Sequence, residues 1–335
     1  MIGEGWTSCA WLVNGELVFR FPKRADDWVT LHREIAFLAG AADHLPLAVP
    51  RYVHVAPESA AAAHGYAIYR YVPGQAMDIS LMSLDRRAAA ADGIAAFLRS
   101  LHEFTPTIEV ADLLPREDAR HVAEEYFALA AREIAPRLEP PQSARLAREF
   151  ESYLGVASNF SFHPVVLHAD FSAEHILMER MAVSGAIDFE DVNWGDSDYD
   201  FMYVFVDFGW TFVEDVARRY RHPDLDRLAG KLRYFAVLDQ IDTILEDAGR
   251  ALKGQKDAAW RRLRKLLEKL RRPLHPDFFT AASLPHPFQR GDAGAHRRQP
   301  QHDAQAGGGR EAGEDPDLLR EREAAAAELV HEIDG

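Results

Sequence analysis

Residues 165–200, VVLHADFSAEHILMERMAVSGAIDFEDVNWGDSDYD, constrain this chain more than any other stretch. Two short apolar runs, 165–167 and 186–187, each end in polar residues. The first delivers His168, Asp170 and, five residues later, His175. The second delivers Asp188, then Glu190 and Asp191. Between them, 176–178 and 183–187 predict a short hairpin turned by 181–185, which sets His175 beside Asp188. A carboxylate on a loop, with a ligand pair across a hairpin, suits phosphoryl transfer: a base for a hydroxyl and a seat for magnesium. The alternative, that these are ordinary loop polars, leaves H-x-D-x-x-x-x-H and the I-D-F at that distance unexplained.

The spacing resembles the protein-kinase catalytic loop, in which a metal ligand follows the H-x-D aspartate by five residues and a strand then ends in a metal-binding Asp. Within that superfamily the chain looks most like the aminoglycoside phosphotransferases. HADFSAEHIL and AIDFEDVNWGDSDYDF are similar to the branch that phosphorylates the 2″-hydroxyl. Protein kinases carry Asn where His175 stands, whereas the 2″-branch and the macrolide phosphotransferases often carry His. Glu190 replaces the Gly of D-F-G. The resemblance implies an α+β, two-lobed protein-kinase-like fold with a small antiparallel-sheet N-lobe and a larger helical C-lobe. It implies transfer of the γ-phosphate of ATP or GTP to an aminoglycoside hydroxyl, with Mg2+ as cofactor. Asp170 is then the catalytic carboxylate, His175 and Asp188 the metal ligands, His168 a brace for the loop, and Asp200 a carboxylate that buttresses it.

Charge separates the possible partners. Net charge is −15, which argues against nucleic acid. Residues 159–215 hold twelve Asp/Glu against Arg180 alone, and clustered carboxylates favour a cationic small molecule. No run is long enough to span a membrane and no leader is apparent, so a cytoplasmic location without membrane association is expected. One cysteine, Cys9, excludes an internal disulfide. A monomer is expected.

Residues 1–71 are expected to form the nucleotide-binding N-lobe. Strands at 10–13 and 16–21 flank Asn14-Gly15, a hairpin signal. Gly3 to Ser8 precedes them where the family has its phosphate loop, with Gly5 and Ser8 as candidates, and the usual strand before that loop is expected to be missing. Arg20 stands where the family has Lys, and its fork still suits phosphate; Lys23 reads as a strand-end charge. The period of 27–38 predicts a helix, on which Glu34 would pair with Arg20. Strands are expected at 47–55 and 66–72. Tyr69 and Tyr71 resemble the linker residues beside the nucleotide base.

Residues 72–282 are expected to form the helical lobe, with helices at 84–104, 118–134 and 141–154, an aromatic helix at 201–212 and another at 231–248. Glu190, Asp191, Asp207, Asp239, Asp242 and Glu246 are the candidate contacts to substrate ammonium groups. Segment 250–272 holds ten Lys/Arg against two acids and is expected to pack on the acidic lobe. From 283 the chain is too poor in apolar residues to order itself, with an Ala/Glu-rich segment at 317–333. Two other functions compete: a macrolide phosphotransferase or other small-molecule kinase, favoured by the aromatics after Asp200, and an inactive kinase-fold binding protein, favoured by Arg20.

Overall fold

The structure, a computed structural model, describes residues 2–5, 7–58, 62–245 and 254–269. It divides into two compact units. Among the described residues, one comprises the chain up to Val29 with Tyr52–Tyr71; the other comprises Thr30–Arg51 and the described residues from Val72 onward.

The first unit is an antiparallel sheet of five strands: β1 (Gly3–Glu4), β2 (Ser8–Val13), β3 (Leu17–Pro22), β4 (Tyr52–Ala56) and β5 (Tyr66–Arg70), in the order β1-β2-β3-β5-β4. Asn14 and Gly15 turn the β2–β3 hairpin with φ of 53° and 75°. Two positive φ values match the right-handed twist of the flanking strands, hence the Asn-Gly pair. Leu17, Phe19 and Ile68 form a buried cluster against which Trp11, Val13, Phe21 and Tyr66 pack. Within the glycine loop Gly3 and Glu4 form a short strand, with Gly3 opposite Ala10 and Glu4 opposite Cys9. One expectation is corrected. The strand expected at 47–55 begins only at Tyr52, because Pro46 and Pro50 remove ladder donors; Ala48 instead bridges to Gly185 within the second unit.

Helix α1 (Ala25–Ala41) runs on from the sheet strands, and its later residues belong to the second unit. Phe37 there has no exposed surface and packs on Phe104 and Phe189, with ring centroids 5.8 and 6.0 Å away. Helices α2 (Leu84–Glu103), α3 (Ile108–Ala111), α4 (Ala119–Leu129), α5 (Pro140–Leu154), α6 (Phe201–Phe208), α7 (Trp210–Tyr220), α8 (Leu225–Leu245) and α9 (Gln255–Lys269) follow. The aromatic stretch after Asp200 is two helices rather than one: Gly209 takes a φ of 81° and breaks it, a conformation that favours glycine. Helix α4 likewise stops short of 134, continuing as a π-helical turn at Ala130–Ile134.

Helix α9 is amphipathic as its sequence predicts. Its Ala259, Leu263, Leu266 and Leu267 are buried, and Arg145 of α5 donates to the Leu267 carbonyl at 3.0 Å. Among the described residues no helix is long and apolar enough to cross a membrane. Glu246 and the segment from 283 lie outside the described residues.

Candidate active site

Two small sheets position the chemistry. Strand β6 (Gln75–Ala76) pairs with β8 (Ile176–Glu179), which pairs with β9 (Ala182–Ala186). Strand β7 (Val165–Leu167) pairs antiparallel with β10 (Asn193–Gly195), Leu167 facing Asn193. The β8–β9 turn is Arg180-Met181, with φ of 50° and 69°, shorter than the turn expected at 181–185. Register therefore carries Ile176 opposite Ala186 and leaves His175 and Asp188 just beyond the two strand ends.

There His175 Nε2 lies 3.3 Å from Asp188 Oδ2, and its Nδ1 lies 3.3 Å from Asp170 Oδ2. Nδ1 is closer still to the Asp170 carbonyl oxygen, at 2.8 Å. Nδ1–H donates to that carbonyl and orients the ring so that Nε2 faces Asp188. Burial works against a charged His175, but Asp170 and Asp188 more than offset it and raise its pKa to about 9. The anionic cup that favours an imidazolium favours a metal cation equally. Two adjacent ligands on one magnesium, each at about 2.1 Å, stand about 3.0 Å apart, close to the observed separation. Among the described residues no group of three or more His, Cys, Asp or Glu converges on one point. A two-ligand site fits a magnesium that also takes phosphate oxygens and water, although imidazole is a softer donor than magnesium usually selects.

The catalytic loop is fixed from behind. Asp200, 1% exposed, accepts the backbone N–H of His168 at 2.9 Å and of Ala169 at 2.8 Å, and faces His102 Nε2 at 3.0 Å. His102 Nδ1 pairs in turn with Tyr220 at 2.9 Å. His168 is fully buried and bridges the Ile187 carbonyl, at 3.1 Å, to the Asp170 N–H, at 3.3 Å. Burial lowers its pKa to about 4, so it is neutral and structural. Ala169 and Asp188 both hold positive φ, 66° and 69°, conformations costly for non-glycine residues that such a network has to enforce. Burial pushes the Asp170 carboxyl well above its ordinary pKa; His175 opposes this, and Asp191, Asp188 and Asp239 add to it. The result is a stronger base than a free aspartate.

A cavity of about 540 Å³ opens beside Ala169, within the range of small-molecule sites. Glu117, Asp191, Asp196, Asp239 and Asp242 contribute its carboxylates, and Arg33 is the one cation among the described residues that line it. Tyr126, Tyr153, Trp194, Tyr199, Tyr203 and Tyr234 supply much of the wall. Tyr203 donates to Asp239 at 2.7 Å, and Tyr126 donates to Asp242. Burial and nearby Asp242 raise Asp239 to about 6, while the Tyr203 bond opposes the shift. Asp191 reaches about 6 through its enclosed setting and Asp188, with Arg33 holding it down. Asp196 is taken up by Lys231, which also bonds Asp198 at 2.6 Å; Asp198 accepts from His222 at 2.7 Å.

Several expected residues fall elsewhere. Asp207 is 6% exposed, accepts the Ala173 N–H at 2.8 Å and is not among the cavity's lining residues, nor is Glu190. In the first unit Arg20, 6% exposed, directs Nε and Nη2 at Ser8 Oγ, at 3.2 and 3.0 Å. Lys23 donates to the Gly5 carbonyl at 2.8 Å and closes the glycine loop. Tyr69 is buried edge-on to Tyr52, and Tyr71 is exposed, its N–H bonded to the Glu16 carbonyl at 2.7 Å. Glu34, in the second unit, is fully buried. Glu117, Tyr126 and Arg33 were not singled out from sequence: Glu117 lies in the segment before α4, and the charges of the helix that carries Tyr126 read as a solvated face.

A model of the phosphotransferase enzyme family matches residues 2–235. The fold is similar to the GDP and kanamycin complex of APH(2″)-IIIa at 27% identity, over 80% of this chain and 90% of that one, with a TM-score of 0.71. The GDP complex of wild-type aminoglycoside 2′-phosphotransferase-IIIa gives 26% over 80% and 91%, with a TM-score of 0.74. A macrolide 2′-phosphotransferase of type I shares the fold at 22%, over 77% and 88%, with a TM-score of 0.61.

Proposed function

Because this chain belongs to the phosphotransferase enzyme family and is a phosphotransferase acting on a hydroxyl group, we propose that it phosphorylates an aminoglycoside from ATP or GTP. The observation that carries this reading is the acid-walled cavity beside the catalytic loop, in which Asp239 and Asp242 are oriented by tyrosine hydroxyls. Fixed carboxylates with aromatic neighbours suit ammonium groups on a sugar scaffold. The similar structure that holds kanamycin and GDP supports the same substrate and donor classes.

In this reading Asp170 receives the proton of the acceptor hydroxyl as that oxygen attacks the γ-phosphorus and the bond to the β-phosphate oxygen breaks. His175 and Asp188 hold Mg2+, which when bound neutralises charge on the donor phosphates. Residues 1–71 act as the nucleotide lobe: Arg20 holds the phosphates, Gly5 and Ser8 shape the loop over them, and Tyr69 and Tyr71 flank the base. Asp191, Asp239, Asp242 and Glu246 receive the ammonium groups, with Glu190 close by; Asp207 acts through the Ala173 backbone instead. The aromatic wall favours a macrolide as second reading, since such a ligand offers more apolar surface than amines.

The test is nucleotide turnover with kanamycin, gentamicin and erythromycin, using ATP and GTP in turn. Aminoglycoside-dependent turnover is expected, reduced by roughly 10²–10⁴ in Asp170→Asn with nucleotide affinity retained. Turnover with erythromycin alone establishes the macrolide reading; no turnover with any of them refutes both.

A further inference from the structure

The cavity contains a charge that ammonium binding does not use. Arg33, from the part of α1 that belongs to the second unit, lines it together with five carboxylates. Among the described residues its Nε has no hydrogen-bond partner although the atom is buried. Asp191 is close enough to feel its charge. Three of the other lining carboxylates have partners: Asp196 has Lys231, Asp239 has Tyr203 and Gln240, and Asp242 has Tyr126. A guanidinium offers five N–H donors and no acceptor, so a cationic ligand gains nothing from it directly.

Transfer changes the charge balance in this corner. The acceptor enters as a neutral hydroxyl and leaves as a phosphate monoester, an anion formed next to Asp170, Asp188 and Asp191. Asp170 and Asp191 lie within electrostatic range of one another, and Arg33 neighbours the second of them. Arg33 is the one cation among the described residues that line the cavity on the acceptor side. We propose that Arg33 binds the phosphoryl oxygens on the acceptor side of the reaction, as the group arrives and while the product remains bound. A planar fork suits this task better than a point charge. The proposal rests on the kinase reading above. In the step itself the acceptor oxygen–phosphorus bond forms, the bond to the β-phosphate oxygen breaks and the hydroxyl proton passes to Asp170; Arg33 exchanges no proton.

The test compares wild type with Arg33→Gln and Arg33→Lys, using kanamycin as acceptor. Arg33→Gln is expected to lower kcat by about 10² with acceptor KM within about threefold, the pattern of a contact made only late in the reaction. Arg33→Lys should recover part of that loss, and inhibition by isolated phosphorylated kanamycin should weaken about tenfold in Arg33→Gln. A rise in KM with kcat unchanged assigns Arg33 to an oxygen already on the acceptor and overturns the proposal, as do unchanged kcat and product inhibition. If wild type turns over no acceptor, the kinase reading fails separately. Inorganic phosphate is then titrated by phosphorus NMR into protein saturated with GDP and magnesium. Binding that Arg33→Gln loses supports the oxyanion site, and equal binding by both proteins refutes it.

Discussion

Asp200→Asn isolates what the buttress behind the catalytic loop contributes, because it alters charge and hydrogen bonding at nearly constant shape. The two carboxylate oxygens divide three contacts: one faces Ala169 N–H, the other faces His168 N–H and His102 Nε2. An amide has one acceptor oxygen. Its NH2 must therefore oppose at least one N–H, and the less costly orientation leaves only Ala169 N–H without an acceptor. An unsatisfied buried donor costs about 1–3 kcal/mol. The two remaining bonds lose their charge assistance, at about 1 kcal/mol each. The sum is about 3–5 kcal/mol, a large share of a typical stability of about 5–15 kcal/mol.

Thermal melting followed by circular dichroism should therefore show a midpoint lower by about 10 °C. Asp226→Asn, at an exposed position of α8, serves as control and should stay within about 0.5 kcal/mol of wild type. Turnover should fall further than stability alone requires. Asp170 follows Ala169 directly, and Ala169 is held at a φ of 66°. Relaxing it displaces the base, and a shift of about 1 Å costs about 10²-fold. A melting midpoint within about 2 °C of wild type, with turnover intact, would show that the Asp200 contacts do not hold the loop.

Two further outcomes follow from buried charge. Asp239, raised to about 6, binds an ammonium only when ionised, so kanamycin affinity should weaken as pH falls through about 6. Its raised folded pKa also makes ligand-free stability decline as pH rises from about 4 towards 6; Asp239→Asn should flatten both dependences, and affinity that does not vary with pH in that window would contradict the assignment. Lys231, 2% exposed, compensates Asp196 and Asp198, so Lys231→Met should cost about 3–5 kcal/mol in a denaturant titration; a loss below about 1 kcal/mol would mean that His222 suffices as a counter-ion.

What the sequence made legible was local. His175 and Asp188 meet because they flank the two strands of one short hairpin, and a misplaced turn did not matter: Arg180-Met181 closes the strands in the same register. Asp170 was legible by its spacing, and Asp200 only through the family resemblance. The cavity was not, for a physical reason. Its walls come from α1, α4, α5 and α8 and from β10, and each helix shows an alternation of charged and apolar residues that fits a solvated face equally well. Tyr126 and Asp242 stand 116 positions apart, so no periodicity within one helix reveals that they share a hydrogen bond. Asp207 failed in the opposite sense. Set among aromatics it suggested a ligand contact, yet burial required a donor, and the backbone N–H of Ala173 supplies one. A carboxylate near a site is a ligand-binding group only where its oxygens are left facing the cavity. Asp239, held by Tyr203 and Gln240, and Asp242, held by Tyr126, both line the cavity, and this is why the substrate assignment rests on them rather than on the acid-rich stretch as a whole.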